Sequence, residues 1–427
     1  MRKNLLHPGA GKLSYEIREI VEIAKKIEKT WKQIIWENIW DPVEKGEKIP
    51  SWLKNIVTKA CELDEVYWYS PTRWLDKTLE FLANKNPKLK KEDILFFNGL
   101  WDAINKVYKN LDPTSRVIWP NPAYSTHSSA EAAHAGSEHI TYRLDPNNNW
   151  NPDLEELENK VKFNPNIVWI LVVNPDNPTW AVFKKDVLEK IIKIAKTYNT
   201  FVIFDEIYEK LTYNDEDRVL LSDIIWDVPW ISMKWISKEL PWPWARCGWI
   251  EVYNKNKSSD FSNYIDSILA SKMLEVCSTT LPQYIIPEVY QSENFEKHTK
   301  QRIQKYKKRA EIAEDFFKDI SELNVVKPKG AFYLSITFNL DKLKDNIKFS
   351  LDDVKIEEII NEKVSSSKRF DVKFCYYLLA ETWVCSVPLS SFNSSFDWFR
   401  LTLLEDDIEK FKNTLKIIKT FIEKINA

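Results

Sequence analysis

The chain has 427 residues, 44% hydrophobic and 29% charged, which is the make-up of a soluble globular protein of two or three structural units. A formal net charge of -2 and the lack of any basic block exclude nucleic acid and membrane surfaces as expected partners. No segment reaches about 18 consecutive apolar residues, and "MRKNLLHPGAGKLSYEI" does not read as a secretory leader, so the expected compartment is the cytoplasm.

Residues 13 to 29 place Leu13, Ile17, Ile20, Ala24 and Ile27 on one face, which predicts a helix ending near Thr30. A helix end favours Gly or Asn there, and the chain has Trp31. "DILFFNGLWDAINKVY" (93–108) predicts a strand, a tight turn and a helix; "RVIWPNPAYSTHSS" (116–129) predicts a strand running into a loop. "IVWILVV" (167–173) is a continuous apolar run, the pattern of a strand buried on both faces. The turn "NPDNPTW" (174–180) follows. A helix near 185–198, with Asn199 as its cap, and the strand "FVIF" (201–204) then complete a right-handed parallel unit. After about residue 296 the texture changes. A charged helix near 297–318, a strand pattern in "KPKGAFYLSITF", a Lys/Asp-rich helical stretch, "TWVCSVPL", "FRLTLLE" and a last amphipathic helix from about 406 make an α+β unit.

Several residues are placed for chemistry. Asp205 follows "FVIF" at the carboxyl end of a parallel strand, where ligands of open sheets bind; a helix N-cap is an equally ordinary use of such an aspartate. Tyr208 lies three residues on. "ISKELPWPWARCGW" (236–249) sets Lys238 and Arg246 eight residues apart across a proline-containing turn, although among 61 Lys plus Arg one such pair carries no meaning alone. "NGLWDA" (98–103) opens a helix whose unpaired amides could hold a phosphate, a weak signal by itself. The five cysteines are scattered without a CxxC pair, so neither a metal site nor a disulfide framework is expected.

Taken in order, these pieces resemble the class I/II aminotransferases, pyridoxal-phosphate enzymes of fold type I. The shared pattern is a small-residue phosphate loop, a ring-stacking aromatic, NPTG, D-x-x-Y, S-K with Arg eight residues on, and a C-terminal Arg. It spans about residues 36 to 405. The resemblance implies an α/β fold with a mostly parallel central sheet, and an amino group moved between an L-amino acid and a 2-oxo acid. It implies that Lys238 holds pyridoxal 5'-phosphate through its amine and shuttles the α-proton. Asp205 would keep a proton on the ring nitrogen. Tyr208 and Asn177 would hydrogen-bond the ring oxygen, and Tyr124 would stack on the ring. Arg246, Ser237 and the amides of Gly99 and Leu100 would hold the phosphate. Arg400 would clamp the substrate carboxylate with its planar fork, beside Asn177 and the residue at position 40, Trp40. Tyr69 would reach the phosphate of a neighbouring subunit, implying a homodimer. The implied division is a large cofactor-bearing domain over 50–296, with residues 1–49 and 297–427 forming the small one.

The departures from the pattern are systematic. The chain has 7 Gly and 19 Trp, where average usage would give about 30 Gly. NPTG reads "NPTW" (Trp180), and the family's glycines are Trp40, Trp68, Trp74, Trp101, Trp235, Trp244, Trp383 and Trp398. Trp249 and Trp52 read as genuine. Loss of glycine alone, to tryptophan alone, with the catalytic set intact, is the pattern of UGA codons that specify glycine being written as Trp. There are three rivals. One is a C–S β-lyase on the same fold. Another is a cofactor-binding regulator, disfavoured because it would need a further DNA-binding domain and the 49 residues ahead of the fold are too few for one. The third is an inert protein in which every Trp is literal.

Overall fold

A computed structural model describes residues 17–39, 41–343 and 349–426. Its centre is an eight-stranded sheet. The strands lie in the order Ile94–Phe97, Gly248–Tyr253, Trp230–Trp235, Phe201–Asp205, Ile167–Val173, Arg116–Asn121, Thr141–Asp145, Asn151–Pro152. The five from Trp230–Trp235 to Thr141–Asp145 run parallel, while Gly248–Tyr253 runs antiparallel to both of its neighbours. The apolar run at 167–173 is a strand along its whole length and almost wholly buried. The helix Lys185–Thr197 covers it with Val187, Leu188, Ile191, Ile192, Ile194 and Ala195. Asn199 takes the left-handed conformation just past that helix, as a cap should (φ 53°).

The parallel arrangement brings the carboxyl ends of the strands ending at Asn121, Val173, Asp205 and Trp235 to one edge, and Phe97 opens its loop beside Gly248 at that edge. A hairpin joins Trp230–Trp235 to Gly248–Tyr253; it pairs Trp235 with Gly248, and its excursion over 236–247 carries both Lys238 and Arg246. Gly248 must lack a side chain because a Cβ there would lie 3.0 Å from the Leu100 amide nitrogen and 3.2 Å from the Gly99 carbonyl carbon.

A second, four-stranded antiparallel sheet has the order Leu323–Val325, Tyr333–Phe338, Trp398–Thr402, Val387–Pro388. The helix Glu293–Phe317 packs on this sheet and Ile408–Ile425 packs on that helix and on Phe370–Thr382, both close to the spans read from the sequence. Ile35–Trp36 pairs in parallel with Val384–Cys385, which joins the N-terminal segment to the C-terminal part of the chain. The first helix is described as Ile17–Glu28, with Ile20, Ala24 and Ile27 buried; Leu13 lies outside the described residues.

Two readings need correction. The expected loop after residue 121 is the helix Ser125–Ala135. It gave no amphipathic signal because small and polar residues are buried around it, Ser125, Thr126, His127, Ser128 and Glu131 among them. Of the Lys/Asp-rich stretch after Phe338, 344–348 lie outside the described residues; among those described, one turn covers Leu340–Lys342 and a helix begins at Val354 behind the capping carboxylate of Asp353.

Backbone dihedrals sort the tryptophans. Among the described residues thirteen non-glycines have φ in the left-handed region, and six of them are Trp31, Trp74, Trp150, Trp180, Trp226 and Trp383. That region suits glycine and, less well, asparagine; for a bulky residue it is an outlier. Trp150 and Trp226 had no signal in the sequence pattern. Trp68 and Trp235 have ordinary extended φ, while Trp101 and Trp398 lie within a helix and a strand. Trp244, 84% exposed, is likewise outside the left-handed set.

Candidate active site

The edge where the strands end gathers most of the expected residues. Asp205 closes its strand at 1% exposure. One carboxylate oxygen lies 3.0 Å from His127 Nε2, and the other accepts the Ile207 backbone N–H at 3.3 Å. Tyr208 is buried beside it; burial, then Tyr333, Tyr124 and Asp205, push its hydroxyl well above the usual tyrosine range. Tyr124 stands half-buried at the start of the helix Ser125–Ala135.

Lys238 sits in the one-turn helix Ile236–Glu239 at 2% exposure. Burial pushes its amine down to about 7, with Arg302, Arg400 and Arg246 adding to the effect and Asp41 opposing it. An amine held there is largely neutral just above neutral pH and can take up a proton. Lys234, the competing lysine, is committed elsewhere: its Nζ lies 2.9 Å from Glu206 and 2.7 Å from Glu209.

Gly99 caps the helix Leu100–Lys109 with φ 83°, and a Cβ on it would come within 2.7 Å of Arg246 Cζ. The bare backbone thus lets the guanidinium lie against a helix N-terminus, a ready-made anion cradle. Ser237 is fully buried, and its hydroxyl donates to the Pro243 carbonyl at 3.2 Å, closing the turn.

Arg400 lies on the strand Trp398–Thr402, paired with Ser335 and Val387, at 2% exposure. Its Nη1 donates to Asn177 Oδ1 at 3.3 Å, and its guanidinium packs over Tyr333 at 4.2 Å and Phe392 at 4.9 Å. Among the described residues no carboxylate pairs with it, and its Nε has no hydrogen-bond acceptor. A buried cation left in that state calls for an anion. Asn177 itself is fixed by the turn around it: Asp176 accepts from the Thr179 amide and hydroxyl, and Ser335 donates to the Pro178 carbonyl at 2.6 Å.

Tyr69 is apart from this cluster, 82% exposed on the outer surface with Tyr67 and Trp68. Trp40 lies outside the described residues. Sequence reasoning missed His127, Tyr333 and Phe392. His127 sits three residues after Tyr124, and only reading residues 125–135 as a helix could have pointed it at Asp205.

Two tryptophans intrude. The Trp235 ring lies against both functional cations, 5.4 Å from Lys238 Nζ and 5.4 Å from Arg246 Cζ. Trp180 stacks on Tyr333 at 4.3 Å and meets Tyr208 edge-on at 5.4 Å. By contrast Trp249, read as genuine, donates its indole N–H to Glu251 at 3.0 Å.

Comparison with known proteins gives the family and the fold. The family described as aminotransferase class I and II matches residues 45–415. An uncharacterised aminotransferase of Methanocaldococcus jannaschii is 49% identical, covering 100% of this chain and 99% of its own. A glutamate-pyruvate aminotransferase of Escherichia coli is 25% identical over 81% of this chain and 86% of its own. An alanine aminotransferase structure from Pyrococcus furiosus superposes with a TM-score of 0.85 at 23% identity, over 99% of this chain and 100% of that one, which establishes the fold type I architecture. On these grounds the chain belongs to the class I and II aminotransferase family and is an aminotransferase.

Proposed function

We propose that the chain uses pyridoxal 5'-phosphate to move an amino group between an L-amino acid and a 2-oxo acid. The observation that carries this reading is the buried guanidinium of Arg400, which donates to Asn177, has no carboxylate partner among the described residues, and acts by its charge on the proton-accepting amine of Lys238. The donor set fits the cofactor. Lys238 supplies the attaching amine, Asp205 a buried carboxylate for the ring nitrogen, and Tyr208 and Asn177 donors for the ring oxygen. Tyr124 supplies an aromatic face, and Gly99, Leu100 and Arg246 the phosphate cradle. When bound, the cofactor supplies an electron sink for the bonds of the substrate α-carbon. The chain does the rest. Arg400 and Asn177 orient the α-carboxylate, and Lys238 takes the α-proton and returns it. The aromatic walls Tyr333 and Phe392 keep water from the guanidinium.

The reading includes a homodimer, because the exposed Tyr67–Tyr69 segment is unspent on this chain's own site. It also includes a cofactor-bearing unit over 50–296 and a smaller unit of 1–49 with 297–427, supported by the pairing of Ile35–Trp36 with Val384–Cys385. Finally, it holds that many of the tryptophans stand for glycine encoded by UGA. The six left-handed tryptophans support this, as do the buried indole N–H groups of Trp74, Trp119, Trp150, Trp180, Trp230, Trp235 and Trp398, which lack acceptors among the described residues.

The test is expression of the gene with glycine at its UGA codons and an assay of half-transamination. The panel is alanine, glutamate, aspartate and a cysteine conjugate. Transfer to pyruvate or 2-oxoglutarate is expected, and Lys238→Ala should abolish it. Retained transfer in that variant overturns the assignment of Lys238. Pyruvate release from the cysteine conjugate without amino transfer would make the chain a lyase. UGG at codons 74 and 180 would end the glycine reading.

A further inference from the structure

The lysine turn is held from behind by a residue that touches neither cofactor nor substrate positions. Arg302, on the long helix Glu293–Phe317, is 2% exposed. Its Nη1 donates to the Lys238 carbonyl at 2.9 Å and to the Glu239 carbonyl at 2.8 Å. These are end carbonyls of the one-turn helix Ile236–Glu239, which leaves them without partners of its own. Nε donates to Glu47 Oε1 at 2.7 Å, and Nη2 to the Tyr306 hydroxyl at 3.0 Å. The circuit closes when Tyr306 donates to Glu47 Oε2 at 2.7 Å. Burial alone would raise the Glu47 carboxyl, but Arg302, Lys305 and Tyr306 bring it below its ordinary value, so it stays a carboxylate.

The other end of the same segment is also tied. Glu37 accepts from Lys45 at 3.0 Å and from the Thr402 hydroxyl at 2.9 Å, two residues beyond Arg400 on its strand. Residues 37 to 47 therefore run from the strand of Arg400 to the turn of Lys238. They carry Asp41, whose charge acts on the Lys238 amine.

We propose that Arg302 is a positioning residue: with Glu47 and Tyr306 it fixes the main chain of Lys238 and locks the 37–47 segment to it, so that the amine and the carboxylate-binding arginine keep one spacing. A guanidinium is suited to this because its planar fork reaches both carbonyls and the carboxylate at once, which an ammonium cannot do. Because the inference rests on Lys238 as the cofactor-bearing amine, its test separates the two readings.

Arg302→Lys, Arg302→Met and Glu47→Gln are made in the glycine-restored chain and loaded with pyridoxal phosphate. The pH midpoint of the visible absorbance of the bound cofactor is then titrated, alongside kcat and KM. Arg302→Met should move the midpoint upward by on the order of one pH unit, because a cation beside the nitrogen is lost. It should lower kcat at least about tenfold with KM nearly unchanged, since no substrate contact is removed. Arg302→Lys should rescue the midpoint but only part of kcat, and Glu47→Gln, which removes the anion paired with Arg302, should lower kcat without raising the midpoint. If Arg302→Met does not fold, the other two variants decide on the same readouts. Midpoints and kcat equal to the parent in folded variants overturn the proposal. A parent with no visible absorbance at all would instead bring down the cofactor reading, and the positioning role with it.

Discussion

Replacing the six left-handed tryptophans with glycine should stabilise this protein, although the change deletes more side-chain volume than most folds tolerate. The sites are Trp31, Trp74, Trp150, Trp180, Trp226 and Trp383. Left-handed backbone costs an ordinary L-residue about 1–2 kcal/mol, so six sites hold about 6–12 kcal/mol, comparable with a total native stability of about 5–15 kcal/mol. Trp74, Trp150 and Trp180 also bury an indole N–H with no acceptor among the described residues, at about 1–3 kcal/mol each. Unfolding entropy of about 2.1 cal/mol/K per residue, over 427 residues, is about 0.9 kcal/mol/K. The backbone relief alone then raises the thermal midpoint by about 7–13 °C. If the three buried tryptophans are native core instead, removing each costs about 3–5 kcal/mol and the variant should not fold at all. The two cases differ in sign. Far-ultraviolet circular dichroism melts of the cofactor-free chains in one buffer read the difference. Trp31 gives a control without packing, since it is 98% exposed: Trp31→Gly should gain about 1 kcal/mol and Trp31→Ala almost nothing. Trp249→Gly is the opposite control and should lose stability, because that indole is bonded and its φ is ordinary. A six-glycine chain that melts below the chain as written refutes the reasoning.

The amine of Lys238 sits at about 7 when folded against an ordinary 10.5, so the unfolded chain binds more protons between those values; cofactor-free stability should rise from pH 7 to pH 10.5, and Lys238→Met should remove that rise in urea midpoints measured across the range. Arg400→Lys keeps the charge but loses the fork, and kcat/KM for amino acids should fall by about 2–3 kcal/mol, roughly 30- to 150-fold, with cofactor affinity unchanged by absorbance titration. His127→Leu takes one hydrogen-bond partner from the buried Asp205 carboxylate while the Ile207 amide still donates to it, and should cost about 1–3 kcal/mol in cofactor affinity, read as a dissociation constant. Trp235→Gly should restore cofactor binding to a chain otherwise as written, measured by visible absorbance on adding pyridoxal phosphate, because it removes an indole lying 5.4 Å from both Lys238 Nζ and Arg246 Cζ.

The residues legible in the sequence are those whose place follows from one strand and its end. Asp205 closes "FVIF", Asn177 follows "IVWILVV", Gly99 follows "ILFF", and each could be set at the sheet edge by counting. Lys238 and Arg246 share a single hairpin excursion, so their pairing was also local. What could not be read depends on chain segments meeting from far apart. Glu47 and Arg302 are 255 residues apart, Thr402 and Glu37 are 365 apart, and Arg400 meets Asn177 across 223. No periodicity encodes such meetings. His127 was hidden for another reason: most of its helix is buried, no residue of it is fully exposed, and small and polar residues line the buried part, so no amphipathic pattern gives it away.

The tryptophans show where composition and geometry each stop. The glycine deficit was visible as a count, but a count cannot say which tryptophans are misplaced. Dihedrals supply that for six, including Trp150 and Trp226, for which no motif was available. Trp68, Trp101, Trp235, Trp244 and Trp398 have backbone any residue can adopt, so strain says nothing about them. For Trp235 the physical objection is the space its indole takes, and for Trp398 a buried N–H without an acceptor. The exposed Trp68 and Trp244 meet neither objection within this chain. Left-handed sites therefore bear on whether the chain folds, and Trp235 on whether it binds its cofactor. A gene with UGA at both kinds of site would tie two independent physical defects to one cause.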